Sequence, residues 1–179
     1  MNENLPSADL SPRTVNHSLS EMAEIVMPND TNPLGNLLGG RLMHWVDLSG
    51  AMAAHRHSGN PVVTASINKV DFLVPVHVGD VVILKSSINR AFHTSLEAGV
   101  KVFVENYRTG EWSHVASAYV TFVAIDAEGH KIRVPEVVPE TAEQQRRFED
   151  AARRRHIRSQ EKKLQHERRA MVAQENSPE

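Results

Sequence analysis

The stretch NPLGNLLGGRLMHWVDLSGAM, residues 32–52, decides the fold. Asparagine, proline and glycine interrupt the chain up to Gly40, and a helical pattern then sets in. Leu42, Val46, Ser49 and Ala53 share one face with Trp45 and Met52 beside them, while the opposite side offers Met43, Gly50, Ala51 and Ala54 in place of a charged stripe. A helix apolar on nearly every side is expected to be buried on nearly every side. One acid, Asp47, sits in the middle of it. HRHSGNP, residues 55–61, ends the helix with a glycine and a proline.

Working outward, EMAEIV (21–26) reads as a first strand, and MPNDTNPLGN (27–36) as a loop. Beyond the helix come four strand candidates: VVTASINKVDFLV (62–74), DVVILKSSINRAF (80–92), LEAGVKVFVENY (96–107) and SHVASAYVTFVAID (113–126). They are rich in β-branched and aromatic residues, and Val100, Val102 and Val104 alternate with Lys101, Phe103 and Glu105. The connections PVHVG, HTS and RTGEW have lengths typical of antiparallel neighbours. The expected fold is therefore α+β: a curved five-stranded antiparallel sheet, in the chain order β-α-β-β-β-β, wrapped around one central helix.

The chain has 179 residues, 40% of them hydrophobic, which suits one packed domain with appendages. Residues 1–20 are polar, without periodicity, and read as a disordered arm; residues 21–140 form the domain; residues 141–179 form a charged helical extension. Apolar positions in that extension are sparse (Phe148, Ile157, Leu164), so a solvated helix with i,i+4 charge pairs is expected. Half of the twenty Lys and Arg residues lie from Arg146 onward, so the net charge of −2 conceals an acidic body and a basic tail.

Several chemistries are disfavoured. The chain has no cysteine, which excludes disulfides, thiolate metal sites and a Cys nucleophile. His44, His55 and His57 lack the spacing of a metal set, and no nucleophile elbow supports a Ser-His-Asp triad. The basic tail lacks interleaved aromatics and alternates with acids, which argues against nucleic acid. No run approaches the roughly 20 apolar residues needed to cross a bilayer, and the N-terminal residues resemble neither a secretory signal nor a transit peptide. A cytoplasmic protein without membrane insertion, metal or redox cofactor is expected.

The helix entrance is where chemistry is expected. The first turn of a helix leaves backbone N–H groups unpaired, and Gly39 and Gly40 let another group approach them, as an oxyanion hole requires. Asp47 lies two turns further in, flanked by Gly50, Ala51 and Ala54, whose small side chains leave space beside its carboxylate. An ionised carboxylate there needs a polar cleft, a donor or another subunit, and Asn36 could supply the donor. A structural reading stays open: Asp47 bonding a backbone amide or a Ser/Thr hydroxyl, and Asn36 capping a turn.

Taken together, MPNDTNPLGNLLGGRLMHWVDLSGAMAAHRH, VVTASINKVDFLVPVHVGDVVIL and TSLEAGVKVFVEN resemble the hotdog-fold acyl-CoA thioesterases of the cytosolic and brain acyl-CoA hydrolase group, from about Glu21 to Asp126. The resemblance implies a sheet wrapped on a helix, a homodimer with a continuous sheet, and often a trimer of dimers. It implies an active site between paired units, with Asn36 from one and Asp47 from the other acting on acyl-CoA. Asp47 would activate water or attack the thioester directly, and Asn36 would orient the water or the carbonyl. Coenzyme A carries a phosphorylated nucleotide, for which Thr94, Ser95, Arg153, Arg154 and Arg155 are candidates, with Lys85 and Arg90 behind them. A non-catalytic acyl-CoA-binding regulator and a hotdog hydratase or dehydratase are the alternatives. The first is expected to lack the helix acid or to carry a DNA-binding module, and the second to carry a His at the position of Asn36.

Overall fold

In the computed structural model, which describes residues 9–68 and 70–175, the central helix α1 spans Gly39–Ser58. It ends as its sequence dictates: Gly59 takes the left-handed conformation (φ +70°) and its N–H bonds the His55 carbonyl at 2.8 Å. Leu42, Trp45, Val46, Ser49, Gly50, Ala53, Ala54 and His57 are buried, a stripe at helical spacing. Each large apolar side chain among them contributes roughly 1.5–3 kcal/mol by leaving water.

The strands, numbered along the chain, are β1 (Arg13–Thr14), β2 (Ser20–Ile25), β3 (Val62–Ile67), β4 (Val81–Ala91), β5 (Ser95–Glu105), β6 (Trp112–Ala124) and β7 (Val137–Val138). Five of them form one sheet in the order β2-β4-β5-β6-β3, antiparallel throughout. Alternate residues of the long strands, such as Val82, Leu84 and Ile88, or Val100 and Val102, are fully buried. A buried polar link joins helix to sheet: the Ser86 hydroxyl donates to the Ser49 carbonyl at 2.7 Å and accepts from the Ser49 hydroxyl at 3.0 Å.

The helix is not buried on every side. Leu48 is 43% exposed and His44 is exposed, while Met43, Asp47 and Ala51 are only partly covered. One concave sheet covers one face of a cylinder, and the remaining face is left for something else. Gly50 likewise has a different role from the one expected. A Cβ there would stand 3.0 Å from the Phe122 ring, so its smallness admits the sheet and not a space beside Asp47.

The first expected strand after the helix is also shorter. β3 stops at Ile67; beyond it the chain is still tied to β6 by Asn68 N–H on the Tyr119 carbonyl at 3.0 Å and Leu73 N–H on the Val115 carbonyl at 2.9 Å, and then passes the start of α1, where Leu37 N–H bonds the Val76 carbonyl at 2.8 Å. Within the apolar run VDFLV, Val70 packs against the core and Phe72 lies beside Gly39 at the helix start, and Pro75 follows.

Residues 13–20, expected as part of a disordered arm, are folded; residues 1–8 of that arm lie outside the described residues. β1 pairs in parallel with β7, and a 3-10 turn follows at Val15–Ser18. Val15 and Ser18 are buried, and the Ser18 hydroxyl accepts the Ile88 N–H at 2.9 Å. Elements this short carry no periodic signal and exist because tertiary partners hold them.

The C-terminal helix α2 spans Ala142–Glu175, and its first half is packed, where a solvated helix was expected. Ala151 is fully buried, Phe148 packs against the core, and the Arg90 guanidinium stacks 3.9 Å from the Phe148 ring. Arg154 reaches Glu97, a carboxylate with no solvent exposure, with Nη2 donating at 2.6 Å, and its guanidinium lies 3.6 Å from the Tyr119 ring. Asn89 donates the remaining bond to Glu97, at 3.1 Å.

Two stability predictions follow from these contacts. Arg154→Ala strands the Glu97 charge and should cost about 3 kcal/mol in denaturant unfolding, with part regained when Glu97→Gln is added. His57, fully buried, places Nε2 3.0 Å from the Pro135 carbonyl and leaves Nδ1 without a partner among the described residues. Desolvation holds its pKa below the ordinary 6.5, against the pull of the Pro135 bond. The unfolded chain therefore binds the proton more readily. Stability should be full above pH 6.5 and fall as pH drops through and below that value, and His57→Gln should flatten that decline in thermal melts across pH.

Candidate active site

The loop before α1 is built around two side chains. Asn32 Oδ1 accepts the N–H groups of Leu34 (3.0 Å) and Asn36 (3.1 Å), the Asn32 N–H bonds the Asn36 carbonyl at 2.9 Å, and Gly35 turns the chain at φ +76°. Asp30, buried, accepts the Met27 N–H at 3.0 Å and Arg41 Nε at 2.6 Å, so the loop is pinned to the first turn of the helix. With its oxygen held, Asn32 keeps an Nδ2 that has no acceptor among the described residues. Asn36 is fixed through its backbone, in a bridge to His77. The turn-capping role open to Asn36 belongs to Asn32.

At the helix start the Leu38 side chain makes no cap. The Gly39 and Gly40 N–H groups have no acceptor among the described residues, as the first turn of a helix dictates. Neither glycine has a positive φ. A Cβ at Gly40 would meet nothing within 4 Å, and one at Gly39 would meet only the Phe72 ring, at 3.6 Å. The backbone needs glycine at neither position, and the amides lie open beside an aromatic wall.

Asp47 accepts the Thr64 hydroxyl on Oδ1 at 2.6 Å; Oδ2 has no partner among the described residues. Thr64 lies on β3, an edge strand paired on one side only, by β6. Eight residues separate Asp47 from Gly39, about 12 Å along the helix axis. One chain therefore does not bring its own carboxylate to its own helix entrance. Leu38, Leu48, Val63, Phe72 and Leu73 expose apolar surface around these two places, 43–61% each.

The basic candidates separate by partner. Arg154 is committed to Glu97, Arg153 pairs with Asp150 at 3.2 Å, Lys85 pairs with Glu21 at 3.3 Å, and Arg90 stacks on Phe148. Arg155 stacks on Phe92 at 4.0 Å, and it shares a trough with Ser95. Thr94 lies in the β4–β5 turn, its carbonyl bonded by the Ala124 N–H. The grouping that could hold a metal among the described residues is Asp126, Glu128 and His130. It is a hairpin turn whose Asp126 Oδ1 already accepts the Glu128 and His130 N–H groups. His44 and His55 are exposed, and no helix among the described residues is long and apolar enough to cross a membrane.

Sequence reasoning missed Asn32, Thr64 and Phe72. Asn32 carried a signal in the Asp-Thr-Asn turn. Thr64 and Phe72 carried none, because their relation to α1 exists only once the sheet has curled.

A family model described as Thioesterase superfamily matches residues 34–111. The acyl-CoA thioester hydrolase YkhA of Bacillus subtilis is 43% identical over 119 residues, 66% of this chain and 69% of that protein. Mouse acyl-coenzyme A thioesterase 11 is 38% identical over 138 residues, 77% of this chain but only 23% of that protein, so the chain spans about a quarter of that relative. Among solved structures, an acyl-CoA hydrolase from Staphylococcus aureus in complex with butyryl coenzyme A and coenzyme A superposes with a TM-score of 0.82 at 30% identity, covering 90% of this chain and 98% of its own. An apo-hexameric acyl-CoA thioesterase superposes at 0.81 with 35% identity, covering 84% and 97%. Variants of the S. aureus enzyme replace an asparagine, an aspartate and a threonine with alanine, the asparagine 15 residues before the aspartate and the threonine 17 after it. Asn32, Asp47 and Thr64 stand at those two intervals in this chain. With a sheet curled on a central helix, an open helix entrance and this agreement over most of its length, the chain belongs to the thioesterase superfamily, among its hotdog-fold acyl-CoA thioesterases.

Proposed function

We propose that this protein hydrolyses acyl-CoA thioesters to free coenzyme A and a carboxylic acid, at a site shared by two copies of the chain. The observation that carries the reading is the separation of two complementary halves: open amides at Gly39 and Gly40, and a hydroxyl-held carboxylate about 12 Å further along the same helix. Each half lacks what the other offers. A two-fold pair in which each chain presents Asp47 to its partner's helix entrance makes two equivalent sites. The free edge of β3 and the exposed Val63, Leu48 and Leu73 supply the surface for such pairing. A trimer of these pairs is the assembly proposed, and the cytoplasm the setting.

At such a site the thioester oxygen accepts the Gly39 or Gly40 N–H, where the helix dipole favours the charge that develops on it. Asp47, oriented by Thr64 through Oδ1, uses Oδ2 to take a proton from water as the water attacks the carbonyl carbon. The thiolate of coenzyme A then leaves. An asparagine amide from the entrance loop orients the water or the carbonyl. The sequence reading gave that task to Asn36; two observations support Asn32 instead, its fixed oxygen with a free Nδ2, and its interval to Asp47. The chemistry as drawn uses no cofactor. A silent acyl-CoA-binding regulator would have no use for a carboxylate held in this way.

Since nothing in the backbone requires Gly39 or Gly40, their worth lies in access to the amides. Gly40→Ala should fold with equal or higher stability, by about 0.5 kcal/mol, yet lose at least tenfold in kcat. Equal turnover would remove the oxyanion role. For the shared site, Asp47→Ala and Asn32→Ala should each abolish or strongly lower thiol release while keeping the oligomer. Co-expressed, the two variants should regain activity, up to about a quarter of native, because half the pairs are mixed and each mixed pair has one intact site. A site within one chain would show no recovery, and full turnover by Asp47→Ala would end the assignment. Asn36→Ala, run beside them, should lose less than Asn32→Ala.

A further inference from the structure

Residues 30–38, ahead of α1, form a small hairpin whose turn carries Asn32. Thr31 and Leu37 bridge as antiparallel neighbours, and the Asn32 N–H bonds the Asn36 carbonyl at 2.9 Å. The returning arm is tied to residues 76–78: the Leu37 N–H bonds the Val76 carbonyl at 2.8 Å, and the Gly35 carbonyl accepts the Val78 N–H at 3.3 Å. The outgoing arm, which holds Asn32, is anchored at its base by Asp30. Asp30 donates its N–H to the Met27 carbonyl at 2.9 Å, accepts the Leu38 N–H on its own carbonyl at 2.9 Å, and accepts the Met27 N–H on Oδ2 at 3.0 Å and Arg41 Nε on Oδ1 at 2.6 Å. The last of these is the one side-chain hydrogen bond that joins residues 30–38 to α1 among the described residues.

Arg41 is the third residue of α1, a place where stability alone does not favour it. The helix dipole opposes a cation in the first turn, and water screens a side chain that is 45% exposed. Asp30, by contrast, is 6% exposed, so its carboxylate has little access to water as a substitute partner. The Arg41 guanidinium lies 5.7 Å from the ring of the buried Trp45, and its Nη groups have no acceptor among the described residues. Its one charged partner is Asp30. What the pair fixes is therefore geometry: it sets where the arm bearing Asn32 stands relative to the amides of Gly39 and Gly40, on the same helical turn as Arg41.

We infer that Asp30 and Arg41 are positioning residues for thioester hydrolysis, a clamp that holds the Asn32 hairpin at a set distance from the open amides so that Asn32 Nδ2 and those amides meet the same reacting group. The inference rests on the hydrolase reading, and it adds two residues that act through Asn32 and not on the substrate. Displacing a positioning group by about 1 Å costs on the order of 100-fold in rate. Binding of the rest of a large thioester depends little on that group, so loss of the clamp falls on kcat.

The test measures thiol release from an acyl-CoA by native protein, Arg41→Ala, Asn32→Ala and the double variant, with backbone amide hydrogen exchange on the same proteins without substrate. Arg41→Ala should lower kcat about tenfold or more and leave KM within about twofold. On the residual rate of Asn32→Ala the same substitution should change kcat by less than about twofold, because the group it positions is gone. Arg41→Lys should keep part of the native rate, and ethylguanidinium added to Arg41→Ala should recover more, since the vacated place is open to solvent. Exchange at the Leu34 and Asn36 N–H groups, both held by Asn32 Oδ1, should quicken about tenfold in Arg41→Ala, while exchange at Gly59, at the far end of α1, stays native. Native kcat in Arg41→Ala, a raised KM with kcat unmoved, a loss that adds in full to that of Asn32→Ala, or equal quickening at Gly59 overturns the clamp and leaves the hydrolase reading intact. A native protein that releases no thiol overturns the hydrolase reading instead. Exchange then decides the clamp by itself: quickening confined to Leu34 and Asn36 leaves it standing as the device that places Asn32, and unchanged exchange removes it.

Discussion

Everything in this molecule depends on how deeply α1 sinks into the sheet, and one contact sets that depth. Phe122 of β6 lies against Gly50, where the helix has no side chain to hold it away. Packing at that distance brings Leu42, Trp45, Val46 and Ala53 into the curl and ties Ser49 to Ser86. It also fixes what cannot be covered. A sheet of five strands encloses one side of a helix, so the start of α1 and the flank bearing Asp47 stay at the surface.

Those two uncovered places receive different treatment from the chain. At the entrance, Asp30 holds the Met27 N–H and the Arg41 guanidinium, Asn32 holds two backbone N–H groups, and the next amides are left open, while the segment between β3 and β4 folds across to set Phe72 beside Gly39. On the flank, Thr64 steadies one oxygen of Asp47 and leaves the other free. A donor surface and an acceptor of protons are thus built on one helix but kept apart by its length. In the pair proposed above, association of two chains would turn that separation into proximity.

α2 shows that a run of charges has no single meaning. Its first half is a docking element, held by Arg154 on a buried Glu97 and by Phe148 under Arg90. Further along, Arg155, Arg158, Lys162 and Lys163 have no carboxylate partner among the described residues. The difference is burial: near the sheet centre a charge without a partner is too costly to keep, whereas on an exposed helix face water solvates it.

The amino-acid sequence by itself determined the class of fold, the extent and ending of α1 and the existence of the five strands, and it placed Asp47, Gly39 and Gly40 on that helix. These follow from periodicity, propensity and chain reversal, all of which act over a few residues. Only the tertiary structure decided that β3 ends at Ile67, that residues 13–20 are folded, that Asn32 organises the entrance, and that Arg154 is bound to a buried Glu97. Three of those depend on a partner far along the chain, Val76 for Leu37, Ile88 for Ser18 and Glu97 for Arg154, whereas Asn32 acts within its own loop. Burial and pairing energies between distant residues leave no local pattern to read, because the same side chain has the same propensity whether or not a partner waits for it.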